Sequence, residues 1–171
     1  MDIALLIVRL IVGLAMAAHG AQKLFGWFGG YGLAGTGAFF ESLGFRPGRF
    51  FALGAGLGEA GGGLLIALGF GGPIGSALVI MVMIVAILSV HLAKGFWQTN
   101  GGYELNLMYI ASALAIAFAG FGAYSLDRAF GLAVLSDPAQ TWITIGAGVA
   151  LALLNLLARR PAPAAQNTAT Q

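Results

Sequence analysis

The sequence predicts an all-α, polytopic membrane protein: an antiparallel four-helix transmembrane bundle with a fifth, C-terminal helix. Three observations predict it. Five apolar stretches hold most of the 171 residues. The composition is 59% hydrophobic and only 8% charged, with a mean hydropathy of +0.91. The connections between the stretches are rich in glycine and interfacial aromatics. A soluble fold of this size would lack the polar surface to cover itself, so lipid must do the covering.

The stretches are residues 3–21, 50–70, 73–93, 105–123 and 142–158. A bilayer core of about 30 Å takes roughly 20 apolar residues per helical crossing, which the first four supply and the fifth nearly does. The first is expected to be a retained helix rather than a secretory signal: Asp2 leads it and Arg9 interrupts it, where a signal would carry a basic leader and an unbroken apolar run. The connection over residues 22–49 contains Gly26-Trp27-Phe28-Gly29-Gly30-Tyr31-Gly32, which belongs at the headgroup interface. Within it, residues 36–43 place Phe39, Phe40 and Leu43 on one face of a short interfacial helix, stopped by Gly44 and the Arg46-Pro47-Gly48-Arg49 turn. Residues 69–72 leave room only for a tight antiparallel turn.

The fifth stretch contains Gly146, Gly148 and Asn155, so it can either cross the membrane or lie against the bundle. Residues 1–127 form the four-helix domain in this reading, 128–160 a linker with the additional helix, and 161–171 a polar, Pro- and Ala-rich disordered tail. Lys23, Arg46, Arg49, Lys94, Arg159 and Arg160 fall on one side if five helices alternate, with Arg128 on the other. The positive-inside rule makes that basic side cytoplasmic and puts the N-terminus outside.

Several function classes drop out. The net charge of +2 is small and its basic residues are scattered, which leaves no nucleic-acid footprint. There is no cysteine, so this chain forms no disulfide, thiolate-bound cluster or covalently attached haem. Gly56-Leu57-Gly58-Glu59-Ala60-Gly61 matches the dinucleotide-binding glycine pattern, but it lies inside an apolar run with no preceding strand. The glycines serve packing instead: Gly54, Gly58 and Gly62 recur every four residues, a nearly bare face for a neighbouring helix.

Two full charges interrupt the apolar stretches, Arg9 and Glu59. Counted from the cytoplasmic ends of their spans they lie about 20 Å and 14 Å deep, close enough for an arginine to reach, so an ion pair is expected. Such a pair either fixes two helices in register or leaves Glu59 to handle protons beside a pocket. A second polar set gathers at the cytoplasmic ends: His19 and Lys23 at i and i+4, His91, then Asn100, Glu104 and Asn106, with Trp97 and Tyr103 beside them as walls for a flat ring. Taken singly, Lys23 reads as a snorkelling anchor, Asn100 as a turn former and Glu104 as a first-turn acid; it is their convergence with the two histidines that points to a site.

These residues carry a resemblance. Arg9-Leu10 with Gly13, His19-Gly20 with Lys23-Leu24, Gly26-Trp27-Phe28-Gly29-Gly30, Phe39-Phe40, Glu59 among glycines, His91, and Thr99-Asn100-Gly101-Gly102-Tyr103-Glu104 resemble the DoxX family over residues 3–127. The family comprises small bacterial and archaeal inner-membrane proteins with a four-helix core, assigned to oxidoreductase systems; some relatives are linked to thiosulfate:quinone oxidoreductase or to sulfurtransferase and superoxide dismutase partners. The fifth stretch departs from that pattern.

The resemblance implies a subunit of a quinone-linked oxidoreductase system in the bacterial inner membrane. On that expectation His19, His91, Glu104 and Glu59 act as catalytic proton carriers, while Arg9, Lys23, Trp97, Asn100 and Tyr103 bind the quinone. Expected partners are the lipid bilayer, a soluble redox protein on the cytoplasmic face and further copies of the chain. Two other readings stay open: a non-enzymatic anchor or scaffold for soluble redox proteins, and b-type haem held between His19 and His91. No metal site other than that iron is expected.

Overall fold

The computed structural model describes residues 1–160, apart from the side chains of Ala133 and Ser136. The disordered-tail expectation falls on residues 161–171, outside the described residues. All regular structure among the described residues is helical. The α-helices are α1 (Asp2–Phe25), α2 (Gly32–Ser42), α3 (Gly48–Leu68), α4 (Ile74–Ala86), α5 (Glu104–Ala119), the single turn α6 (Leu126–Ala129) and α7 (Pro138–Leu157). α4 continues through a π-helical turn, Ile87–His91, and a 3₁₀ turn, Leu92–Lys94. Four helices are long and apolar enough to cross a membrane: α1, α3, α4 with its extension, and α7.

α1 packs on α3, α3 on α4 and α4 on α5, with lighter contact between α5 and α1 closing the bundle. α7 lies outside this group against α4. It starts with Asp137 capping Ala139 and Gln140, near the turn where Leu135 abuts Gly72. It ends at the opposite face, where Arg160 N donates to Gly44 O at 2.8 Å. The fifth stretch therefore runs the full height of the bundle.

Small residues set how closely these helices approach. A Cβ added to Gly13 would sit 2.5 Å from the Gly63 carbonyl oxygen, and one added to Gly20 would strike the Ala60 backbone. The closest seam is thus Gly13 and Gly20 of α1 against Gly56, Ala60, Gly63 and Ala67 of α3. The Gly54, Gly58 and Gly62 face was the expected seam, and it is only partly one. Gly58 and Gly62 meet Val82 and Gly75 of α4, while Gly54 has no atom within 4 Å of an added Cβ. Two faces of one helix serve two neighbours, and spacing alone shows one of them.

The fourth stretch is shorter as a helix than the sequence implies. α5 stops at Ala119, and at 1.5 Å per residue its 16 residues cover about 24 Å, less than a bilayer core. Residues 120–125 finish the height as irregular backbone, which at this depth needs partners from the protein. Arg9 supplies them: its guanidinium donates to Phe121 O at 2.6 Å and to Tyr124 O at 2.5 Å and lies 5.8 Å from the Phe121 ring centre. Asp2 accepts from Ala123 N at 2.9 Å, and Asp127 accepts from Gly71 N at 2.9 Å and Gly72 N at 2.7 Å. Gly69 tolerates no other residue here. Its φ is 63°, and an added Cβ would collide with the Arg9 guanidinium.

Candidate functional site

The expected Arg9–Glu59 pair does not form. Arg9 lies beside Gly69, at the far end of α3, whereas Glu59 bonds Lys23, with Nζ–Oε2 at 2.5 Å. The seam sets this register: Gly20 lies opposite Gly56 and Ala60, so α3 starts more than a turn beyond the level where α1 ends. Counting both helices from a common plane hides that offset. Arg9 and Lys23 are 14 positions apart in α1, roughly 20 Å of rise.

Glu59 is 3% exposed and Lys23 26%, so the carboxylate is enclosed and the ammonium reaches toward the surface along its stem. They border an open-mouthed cavity of about 590 Å³ lined by α1, α2, α3, α4 and α5, with Asn155 of α7 also contributing. Most of its wall is apolar: Phe39, Phe40, Phe45, Phe51, Met81 and Met83 supply much of it. The predicted interfacial helix, found as α2, thus contributes a wall. It is anchored where Glu41 Oε1 accepts from Gly48 N at 3.0 Å, over the first turn of α3.

Both histidines line the cavity. His91 sits in the π-helical turn, a wide turn that breaks the ordinary ladder and is often found at functional sites. Its Nδ1 is 2.7 Å from Gly101 O. A carbonyl only accepts, so Nδ1 carries the proton. His19 Nδ1 is 3.2 Å from Gln22 Oε1, and Gln22 Nε2 donates to Phe28 O at 3.1 Å. That second bond fixes the amide orientation, so His19 Nδ1 is again the donor. Phe28 holds φ 52° to present this carbonyl, an uncommon conformation for a residue with a side chain. In the neutral form, each histidine therefore keeps its Nε2 as an acceptor.

Other predicted residues lie elsewhere. Glu104, Trp97, Asn100, Tyr103 and Arg9 are outside the cavity wall. Glu104 Oε2 accepts from Gln98 N at 3.0 Å and closes the loop between α4 and α5. Trp97 is 63% exposed, packing edge-on against Phe96; Tyr103 does likewise on the same Phe96. Asn100 lies in the exposed 3₁₀ turn Gln98–Asn100. The loop over residues 95–104 is closed by Tyr103 N on Gly95 O and Glu104 N on Phe96 O. Adjacency in sequence to the fourth span does not bring them inward.

Tyr109 is one polar residue that sequence reasoning missed. It lines the cavity edge-on to His19, with ring centres 5.9 Å apart. Its signal was available, since it stands three residues after Asn106, on the same helix face, in an otherwise apolar span. Ser89, Gln98 and Asn155 also line the wall. Among the described residues, no group of three or more His, Cys, Asp or Glu could hold a metal ion.

The DoxX family model matches residues 4–92, more than half of the chain. The chain belongs to the DoxX family. Neither a curated protein nor a solved structure matches it. With four helices able to cross a bilayer, this DoxX protein is a multi-pass membrane protein. The matched segment holds His19, Lys23, Glu59 and His91 of the cavity and ends just past the π-helical turn. The loop with Trp97, Asn100 and Tyr103 lies beyond it.

Proposed function

We propose that this DoxX protein is a membrane-integral subunit of a quinone-linked oxidoreductase system of the bacterial inner membrane and that the cavity between α1 and α5 is its quinone site. One observation carries the reading: an aromatic and methionine-lined cavity of about 590 Å³ with His19, His91, Glu59, Lys23 and Tyr109 among its walls. A flat, lipid-soluble ring needs an apolar slot, and its two-electron chemistry needs groups that take or give protons at the ring oxygens. The two imidazoles and the Glu59 carboxylate suit the proton traffic, and Lys23 balances negative charge. The chain has no cysteine to hold a thiolate-bound redox centre; on this reading electrons arrive from a soluble partner or from a reduced substrate.

The test is the affinity of purified protein in lipid nanodiscs for a short-tail hydroquinone, measured without oxygen. His19→Ala and His91→Ala are each expected to weaken it by about threefold to tenfold, the net value of one hydrogen bond. Equal affinity in all three proteins overturns the assignment. The exposed Trp97 loop favours a second reading, in which the protein anchors soluble redox proteins at the basic face. A partner retained after both histidines are replaced, but released by Trp97→Ala, would support that reading over a catalytic one.

A further inference from the structure

Among the cavity groups fixed in one hydrogen-bonding sense, acceptors outnumber donors. Several of the cavity's side-chain donors are engaged within the protein. Beyond the two Nδ1 groups, Ser89 Oγ donates to Val85 O at 2.5 Å. Asn106 Nδ2 donates to Met83 Sδ at 3.3 Å, and Asn155 Nδ2 to Leu151 O at 3.1 Å. Each of these contacts fixes an orientation, because neither a carbonyl nor a thioether can donate in return. The side chains of Gln98, Asn106 and Asn155 can still serve a ligand in either sense, whereas the two imidazole Nε2 atoms and Glu59 Oε1 only accept. Lys23 only donates, with its ammonium held on Glu59; the Tyr109 hydroxyl can act in either sense.

We propose that the cavity takes the reduced, hydroxyl-bearing form of its ring ligand in preference to the oxidised, carbonyl-bearing form. This rests on the reading of the cavity as a quinone site. A hydroquinone offers two O–H donors to the two imidazole acceptors, while the groups able to act in either sense serve both forms alike. A quinone offers two carbonyls, which face lone pairs and gain no hydrogen bond from them. A buried acceptor left facing another acceptor loses its water without replacement, so the same wall favours one form and penalises the other. His19 and His91 are the specificity-determining residues, since both are locked from behind into the tautomer that accepts. Gln22, which holds His19 through the Phe28 carbonyl, is a positioning residue.

The experiment measures equilibrium binding of a short-tail benzoquinone and of its hydroquinone, the latter without oxygen, to full-length protein in nanodiscs at about pH 8, where an ordinary imidazole is neutral. The hydroquinone is expected to bind at least about fivefold more tightly, in line with one or two net hydrogen bonds. His19→Asn and His91→Asn keep a donor where Nδ1 stands and remove the Nε2 acceptor. Each should weaken hydroquinone binding by about twofold to tenfold and leave benzoquinone binding unchanged. Equal or tighter binding of benzoquinone by the unsubstituted protein overturns the preference and leaves the quinone-site reading standing. Binding of neither form overturns both. Should the variants misfold, nitrogen NMR of the unsubstituted, histidine-labelled protein decides: two unprotonated Nε2 atoms support the proposal, and a protonated Nε2 on either histidine overturns it.

Discussion

Arg9 and Glu59 are both buried charges on the α1–α3 pair, and the protein treats them in opposite ways. Arg9 is fully enclosed and spends its guanidinium on the Phe121 and Tyr124 carbonyls, stitching the irregular end of α5 to α1. Glu59 shares one oxygen with Lys23 and borders a cavity. Burying a charge at membrane depth is costly in either case. At the Arg9 end the return is backbone satisfaction, where a short helix left carbonyls bare. At the Glu59 end a neighbouring space remains that a ligand can fill. A buried charge thus marks function only when its remaining lone pairs face something other than the protein's own backbone.

The contrast can be broken most forcefully at Arg9. Arg9→Leu strands two carbonyls at membrane depth and should lower unfolding free energy by about 2 to 6 kcal/mol, at about 1 to 3 kcal/mol for each buried carbonyl left without a donor. Chemical unfolding in mild detergent reads it; a loss under about 1 kcal/mol would mean that water or lipid headgroups satisfy those carbonyls. Next comes the helix seam. Gly20→Leu and Gly58→Leu should each cost about 1 to 3 kcal/mol or abolish folding, because Ala60 and Val82 stand where the side chain would go. Gly146→Leu meets open space and should be nearly neutral. Similar yields and unfolding midpoints for all three would refute the packing account.

Glu59→Gln sharpens the comparison from the other side. It keeps the shape, removes the charge facing Lys23 and should weaken ring-ligand affinity by about tenfold. Stability should fall by less than in Arg9→Leu, since partly exposed Lys23 retains water. A larger stability loss than Arg9→Leu, with affinity intact, would make Glu59 the structural charge. Smallest of all, Trp97→Ala should change stability by no more than about 0.5 kcal/mol and leave ring binding untouched, because the residue is exposed and outside the cavity.

The fold was legible in the chain because hydropathy and length act locally. A run of about 20 apolar residues must be helical in lipid, and a four-residue connection such as 69–72 must return antiparallel, whatever the rest of the chain does. The convergence of His19, Lys23 and His91 was legible for the same reason, since alternation of direction puts the ends of odd-numbered spans on one face. The partner of Glu59 was not. It depends on axial offset between α1 and α3, which Gly13, Gly20, Gly56 and Gly63 set through backbone contact that no count from a helix end contains. Nor was the position of Glu104 or Trp97 legible, because the loop over residues 95–103 closes on itself and turns its aromatics outward.

By itself, then, the sequence determined that this is a lipid-covered helical bundle, which spans compose it and which polar residues share an end. Tertiary structure alone decided which charges meet, that Arg9 is bound to backbone, and that α2 and Tyr109 complete a cavity around the histidines. Membrane insertion responds to each segment's own transfer free energy, which composition specifies. Side-chain pairing responds to helix offset and rotation, which arise only when several surfaces pack at once.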